Sequence, residues 1–306
     1  MNDHAEVRIG IDLGGTKTEL IALAAGSHAE LLRLREATPA GDYDASLAQM
    51  AAMVGRAEQQ LGARASVGIG TPGAISQATG CMKNCNSTWL NGRPLRQDLE
   101  RLLGRDIRMS NDANCFALSE AVDGAAAGAG SVFGVIVGTG TGAGIVINGR
   151  VLEGANGIAG EWGHNPLPWP RDDELPGPAC YCGRAGCIET WLSGPGLAGD
   201  HARRTGEVLT AEVMATRAVA GDRECLASLQ RHADRMARGL AHVINILDPD
   251  AIVLGGGISN IESLYEAVPG LWGEYVFSDK VQTRLLPPKY GDSSGVRGAA
   301  WLWEGR

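Results

Sequence analysis

The spacing of apolar residues changes period along the chain, and those changes mark its elements. Residues 7–13 (VRIGIDL) and 18–24 (TELIALA) are short apolar runs joined by a tight Gly14-Gly15 turn, and they read as two strands. The run LLRLREATP, through Pro39, is a third candidate strand. Residues 44–62 place Leu47, Met50, Val54, Ala57 and Leu61 at helical spacing, and Gly62 closes that helix. A strand over 65–70 ends in Thr71-Pro72-Gly73, residues 95–103 read as a helix, and 107–113 as a strand running into a helix over 114–127. The order β-β-β-α-β-α-β-α predicts an α/β domain with a mixed sheet.

The pattern then begins again. Residues 131–137 (SVFGVIV), the loop GTGTG and residues 143–147 (AGIVI), with a hairpin turn at Asn148-Gly149, repeat the strand, glycine loop, strand opening of the amino terminus. Two halves built this way predict duplicated domains around a cleft. The expected division is residues 1–118 plus 291–306 against 119–290. Residues 224–247 form a long helix, 251–257 (AIVLGGG) a buried strand, and SSGVRGAAWLW a small-residue helix returning to the first domain.

Composition narrows the class. The chain has 306 residues, 44% of them hydrophobic, enough for one large or two medium domains. A net charge of −8 argues against a nucleic-acid partner, which would demand a basic surface. The start MNDHAEVRIG resembles no signal peptide, and no apolar run approaches the ~18 residues of a membrane span, so a cytoplasmic protein is expected. Glycine, at 44 residues, is in excess and gathers in IDLGGTK, IGTPG, VGTGTGAG, EGANGIAGEWGH, LGGG and GVRGAA. Such clusters between apolar strands are expected where backbone meets a ligand or takes positive φ.

Several of these clusters carry candidate chemistry. In IGIDLGGTKTE, Gly14 and Gly15 free backbone N–H groups to face a phosphate, with Thr16 and Lys17 as further donors and Asp12 placed to hold Mg²⁺ through water. The alternative is a plain Gly-Gly hairpin, and the spacing is not that of a Walker A loop. VGTGTGAG is a second candidate cradle, and LGGG a third, at a strand end where adenosine lies in many α/β folds. In MSNDAN, Asp112 is a candidate general base for a hydroxyl attacking a γ-phosphate, and Asn111 a sugar contact. The competing reading is that Asn-Asp caps the next helix. Trp89 and Trp162 are placed in the core in preference to stacking on a sugar.

The segment CYCGRAGCIE sets three cysteines at C-x-C-x4-C. An odd total of seven cysteines and a reducing compartment fit a disulfide poorly, and the spacing is not that of a C-x-x-C redox pair. Close thiolates repel unless a cation binds them. His164, sixteen residues before Cys180, completes a Cys3His set with Cys180, Cys182 and Cys187, which predicts a closed structural zinc. Its expected task is to fix the loop of Glu161 and the turn of Glu189. Cys81, Cys85, Cys115 and Cys225 have no such grouping.

Together, IDLGGTKTE, the TPG loop, SNDAN, GTGTGAG, GEWGH and CYCGRAGCIE resemble the ROK family of sugar kinases and repressors, in matching order from residue 7 to about 300. Within it, KNCNSTWLNG, AGEWGHNPLPW and GDSSGVRGAAWLW are most similar to bacterial fructokinases of the manno(fructo)kinase type. The resemblance implies an actin-like fold of two RNase H-like domains with ATP in the cleft. It implies Asp112 as catalytic base, Asn111, Glu161, His164, Glu189 and Gly73 on the substrate side, and His164, Cys180, Cys182 and Cys187 as zinc ligands. Gly10, Asp12, Gly14, Gly15, Thr16 and Lys17 would face the nucleotide from one side. Gly138, Thr139, Gly140, Thr141, Gly142 and Gly144, with Gly255 and Gly256, would face it from the other. The expected activity is ATP- and Mg²⁺-dependent conversion of D-fructose to fructose 6-phosphate by a homodimer. The alternatives are a glucokinase or mannokinase of the same family, or a non-catalytic sugar-responsive regulator. The family's repressors carry an amino-terminal helix-turn-helix, and only six residues precede the first strand here.

Overall fold

Two five-stranded sheets carry the chain, and they share one plan. A computed structural model describes residues 7–303; residues 1–6, on which the reading of the amino terminus partly rests, lie outside that range. In the first sheet β1 (Val7–Leu13) pairs antiparallel with β2 (Lys17–Ala24), which pairs with β3 (Glu30–Ala37). Helix α1 (Tyr43–Leu61) returns the chain to β4 (Ser66–Thr71), parallel to β1. After the small hairpin β5 (Ala74–Ile75) and β6 (Met82–Lys83), helix α2 (Leu95–Leu103) leads to β7 (Arg108–Asn111), parallel to β4. The sheet order is β3-β2-β1-β4-β7.

Helix α3 (Asp112–Val122) crosses to the second sheet, where β8 (Ser131–Val137) and β9 (Thr141–Ile147) repeat the antiparallel opening. The edge strand β10 (Arg150–Val151) follows. Helices α4 (Ile188–Leu192), α5 (Gly194–Thr205), α6 (Ala211–Val219) and α7 (Arg223–Leu247) precede β11 (Ala251–Gly255), which lies parallel to β8. Helix α8 (Leu264–Leu271), β12 (Arg284–Leu286) and α9 (Ser294–Trp301) complete the chain. The order β10-β9-β8-β11-β12 mirrors the first sheet. None of the described helices is long and apolar enough to cross a membrane.

Each half has its own core, and a third apolar cluster joins them. The first core sets Ile9, Ile11, Val67 and Ile69 against Met50, Met53 and Val54 of α1; the second sets Val135 and Leu254 against Met236, Leu240 and Ile244 of α7. The joining cluster holds Phe116, Ala117 and Ala121 of α3, Val296 and Ala300 of α9, and residues of both sheets. Here glycine permits the contact. A methyl group on Gly298 would sit 1.6 Å from the Cys115 carbonyl oxygen, one on Gly68 1.9 Å from that of Ala299, and one on Gly134 2.6 Å from the Ala117 side chain.

The boundaries differ from the sequence pattern at α3. The helix begins at Asp112 instead of 114, because the Asn111 side chain accepts from Asn114 N and caps it there. It stops at Val122 because the Glu120 carboxylate turns back to accept from Ala125 N. The strand expected over 251–257 ends at Gly255, since Gly256 takes φ 78°.

The close helix contacts generate a stability test. Gly298→Ala should lower unfolding stability by about 1–3 kcal/mol or more, the cost of overpacking, because the clashing atom is backbone. Gly55, exposed inside α1 with nothing within 4 Å of a built methyl, is the control. Gly55→Ala should raise stability by about 0.5–1 kcal/mol in the same urea titration.

Candidate active site

Two cavities meet at the amino terminus of α3. The smaller, about 520 Å³, is lined by Asp12, Gly14, Gly15 and Thr16 from the first glycine turn, with Trp89 and Gly256 opposite. The larger, about 770 Å³, is lined by Gly73, Asn111, Glu161, His164 and Glu189, and by the second glycine loop through Gly138, Thr139, Gly140, Thr141 and Gly142. Asp112 lines both. The second glycine loop thus shares its chamber with the residues expected to hold sugar.

Both readings of the Asn-Asp pair hold at once. Asn111 Oδ1 accepts from Asn114 N at 2.8 Å as the helix cap, which leaves its amide N–H groups and one oxygen lone pair for a ligand. Asp112, at the first helical position, accepts from Ala113 N at 2.8 Å. Its side chain is open to the cleft, yet so deep between the halves that burial raises its carboxyl above the ordinary range. The nearby charge of Glu161 adds to that rise, against the lowering by backbone hydrogen bonds. Asp12 is pushed up to about 6, first by burial and then by the charges of Asp112 and Glu19, with Lys17 opposing. Two carboxylates whose proton affinity is raised in this way suit a divalent cation bound between a phosphate chain and Asp12.

Glu189, on α4, accepts from Thr141 N at 2.8 Å, so it braces the second glycine loop while facing the larger chamber. His164 ends a short turn over Trp162–His164, and its Nδ1 lies 3.5 Å from Cys180 Sγ. Cys182 and Cys187 Sγ are 3.6 Å apart, and the four ligand atoms all lie within 4.8 Å of one another. Sulfurs on a tetrahedral zinc with bonds of about 2.3 Å stand at about this separation. Burial and the neighbouring thiols push the Cys187 thiol up, and a bound cation would favour its thiolate. These residues fit a closed tetrahedral ion. Main-chain pairing ties the same loops together, through Leu167 N to Gly186 O and Ile188 N to Asn165 O.

Some expected positions lie elsewhere. Gly10 faces α9, where a methyl group would meet Val296 O at 2.1 Å; Gly144 faces Ala113 O and Asn114 of α3; Gly255 faces the Phe116 ring. These three are packing glycines and line neither cavity. Lys17 also lines neither; its Nζ is 3.7 Å from Glu19 Oε2, a buried carboxylate that also takes Arg33 and Arg35. His164 has both ring nitrogens engaged, since Nε2 meets the Tyr181 hydroxyl at 2.8 Å, which leaves none for a sugar in this arrangement. Trp162 packs on Phe133 in the core, and Trp89 faces the smaller cavity. Sequence reasoning missed Lys83, Asn84, Cys85 and Asn86, which line the larger chamber from the turn after β6, and Tyr181. The first four lie in the asparagine-rich KNCNSTWLNG and Tyr181 in CYCGRAGCIE, segments that carried the family resemblance without marking these side chains.

The ROK family model matches residues 8–306. The chain belongs to the ROK family. It is 40% identical over 297 residues to the N-acetyl-D-glucosamine kinase of Pectobacterium atrosepticum, covering 96% of this chain and 97% of the relative. Among solved structures, the ROK hexokinase of Thermus thermophilus superposes with a TM-score of 0.85 at 32% identity, covering 97% of both chains. The ROK family glucokinase of Streptomyces griseus, in complex with glucose and AMPPNP, gives 0.74 at 26% identity, covering 97% of this chain and 98% of that one. These findings correct the fructose expectation: curated relatives near 40% identity over the full chain are kinases of N-acetyl-D-glucosamine. The fructokinase subgroup rested on short segments, whereas these matches run the whole ROK chain.

The raised carboxylates set a pH test. A folded pKa above the unfolded one stabilises the fold at low pH, and that contribution is lost as pH rises through the folded value. For Asp12 the window runs from the ordinary 3.8 to about 6. Asp12→Asn should therefore raise the thermal midpoint at pH 8, with the gain shrinking toward pH 4. An equal effect at both pH values would contradict the burial of a charged Asp12.

Proposed function

We propose that this protein transfers the γ-phosphoryl group of ATP to the 6-hydroxyl of a glucose-type hexose, with N-acetyl-D-glucosamine as its substrate. The observation that carries the reading is Asp112, an uncompensated carboxylate at the one wall shared by the two cavities. The smaller cavity would take the nucleotide, its triphosphate along the Gly14–Thr16 turn, and the larger the sugar. Asp112 accepts the proton of the 6-hydroxyl as that oxygen bonds to phosphorus; the bond to the β-phosphate oxygen breaks, and ADP leaves. Its raised proton affinity suits a general base working near neutral pH. Asn111, through its amide N–H groups, and Glu161 orient the sugar, while Glu189 holds Thr141 and with it the second loop. Asp12 would hold magnesium, which would neutralise charge on the phosphates. The two sheets would act as two domains closing on the cleft in a cytoplasmic enzyme.

The second reading, a regulator without catalysis, predicts sugar binding and no ADP release. A coupled ADP-release assay over N-acetyl-D-glucosamine, glucose, mannose and ketohexoses separates the two. The highest kcat/KM is expected for N-acetyl-D-glucosamine, and a ketohexose preference would overturn the substrate assignment. Asp112→Asn should lose roughly 10²–10⁴ in kcat with sugar affinity retained. Retention of more than about a tenth of the activity would return Asp112 to a purely capping role.

We further propose that the Cys3His cluster holds zinc. Purified protein should contain close to one zinc per chain, read by elemental analysis. Cys182→Ala should lose the metal and raise the sugar KM roughly tenfold or more, with ATP KM unchanged, because the cluster lies beside Glu161 and Glu189 and away from the smaller cavity.

A further inference from the structure

A sugar hydroxyl donates one hydrogen bond and accepts up to two, so a chamber that binds sugars must supply donors as well as acceptors. The larger chamber is rich in acceptors: Asp112, Glu161 and Glu189 are carboxylates that can only receive protons. Its side-chain donors are mostly neutral amides and hydroxyls, from Asn84, Asn86, Asn111, Thr139 and Tyr181. Thr141 N is already spent on Glu189, and Asn111 offers only its amide N–H groups. Unmet sugar oxygens buried there would cost affinity.

Lys83 adds a cationic donor to that set. It is the only lysine or arginine among the chamber's described lining residues. Met82, its neighbour in β6, is 3% exposed and sits in the first core, so strand alternation turns Lys83 to the opposite face. Its cross-strand partner on that face is Ala74, which also lines the chamber. Among the described residues its ammonium makes no ion pair or hydrogen bond, whereas Lys17 and Lys289 are both engaged. The Lys83 carbonyl packs against Gly73, where a methyl group would lie 2.6 Å away, and this holds the strand tightly against the TPG turn.

We propose that Lys83 is a further substrate-binding residue, whose ammonium donates to a sugar oxygen at the part of the ring remote from the reacting hydroxyl. Lys83 lines the larger cavity alone, whereas Asp112 also lines the smaller one, which sets the ammonium apart from the side where the phosphoryl group would arrive. A residue so placed acts on sugar affinity and discrimination, not on the chemical step. The inference rests on the sugar-kinase reading above.

The test is steady-state kinetics on Lys83→Met, which keeps the stem and removes the donors, and on Lys83→Arg, which restores them. Loss of a charged hydrogen bond predicts a rise of about 10- to 100-fold in sugar KM, with kcat and ATP KM within about twofold and partial recovery in the arginine variant. Deoxy sugars locate the partner: the analogue lacking the oxygen held by Lys83 should bind wild type and Lys83→Met equally. An unchanged sugar KM, a rise in ATP KM instead, or deoxy analogues all weakened alike by the substitution would overturn the assignment. If Lys83→Met does not fold, the wild-type deoxy panel decides, and no analogue losing tenfold or more overturns it. Wild-type protein that phosphorylates no sugar would instead defeat the functional reading itself, so the two failures are distinct.

Discussion

The close approach of α3 and α9 to both sheets is the constraint on which the site depends. At the Gly298–Cys115 and Gly68–Ala299 contacts, a single added methyl would lie within 2 Å of a carbonyl oxygen, so helix and strand can meet only in this register. Interiors packed to crystal-like density transmit such fixity over several residues. Asp112 heads α3, and the same helix presses Ala113 against Gly144 of β9 and Phe116 against Gly255 of β11. The carboxylate is therefore set by packing from both halves, and any rotation of one half against the other moves the walls of its two cavities together.

Buried carboxylates in this protein fall into two kinds, and the contrast separates scaffold from chemistry. Glu174 is buried, which alone would raise its pKa, but hydrogen bonds from Arg238, the Arg171 backbone and Arg235 outweigh that and hold it at about 2. Arg238 also donates to the Pro168 and Trp169 carbonyls, so α7 grips the segment between the histidine and the cysteines. That network is complete without any ligand. Asp12 and Asp112 have no such partner, and burial raises both. Uncompensated charge is costly to hold folded, and a folded protein keeps it where a cation, a phosphate chain or a transferable proton arrives to use it.

Much of this was legible in the sequence because it is local. The strand, glycine turn, strand opening of each half, the helix ending at Gly62 and the Cys3His spacing all follow from neighbours in the chain. What escaped was set by distant partners. Gly10, Gly144 and Gly255 sit in motifs that read as ligand loops, yet what faces each of them is a helix some 30 to 290 residues away in sequence. Helix α5 opens with Gly194-Pro195-Gly196, where no apolar period marks a helix, and Ser193 caps it by accepting from Gly196 N. Lys83 stands in a two-residue strand too short to show a period.

The sugar itself was the least legible feature, for an energetic reason. Phosphoryl transfer needs charges at fixed places, and those places are marked by glycine turns and a carboxylate at a helix start. Choice among hexoses turns on one hydroxyl or one acetamido group, and a pocket separates substrates that differ by so small a group by only about 1–3 kcal/mol. Such a difference can be made by the side chains of a single irregular turn, and the turn from Lys83 to Asn86, which opens the KNCNSTWLNG segment, lines the larger chamber. Short segments, that turn among them, pointed to fructose, whereas relatives matched over the whole chain are kinases of N-acetyl-D-glucosamine. The candidate base Asp112 and the two glycine loops bear on phosphoryl transfer, so motifs built on them carry no information about the ring. Selectivity has to be read from the groups that complement the substrate's oxygens, and the candidates in this chamber are Lys83, the asparagines of its turn and the amide N–H groups that Asn111 keeps after its oxygen caps α3.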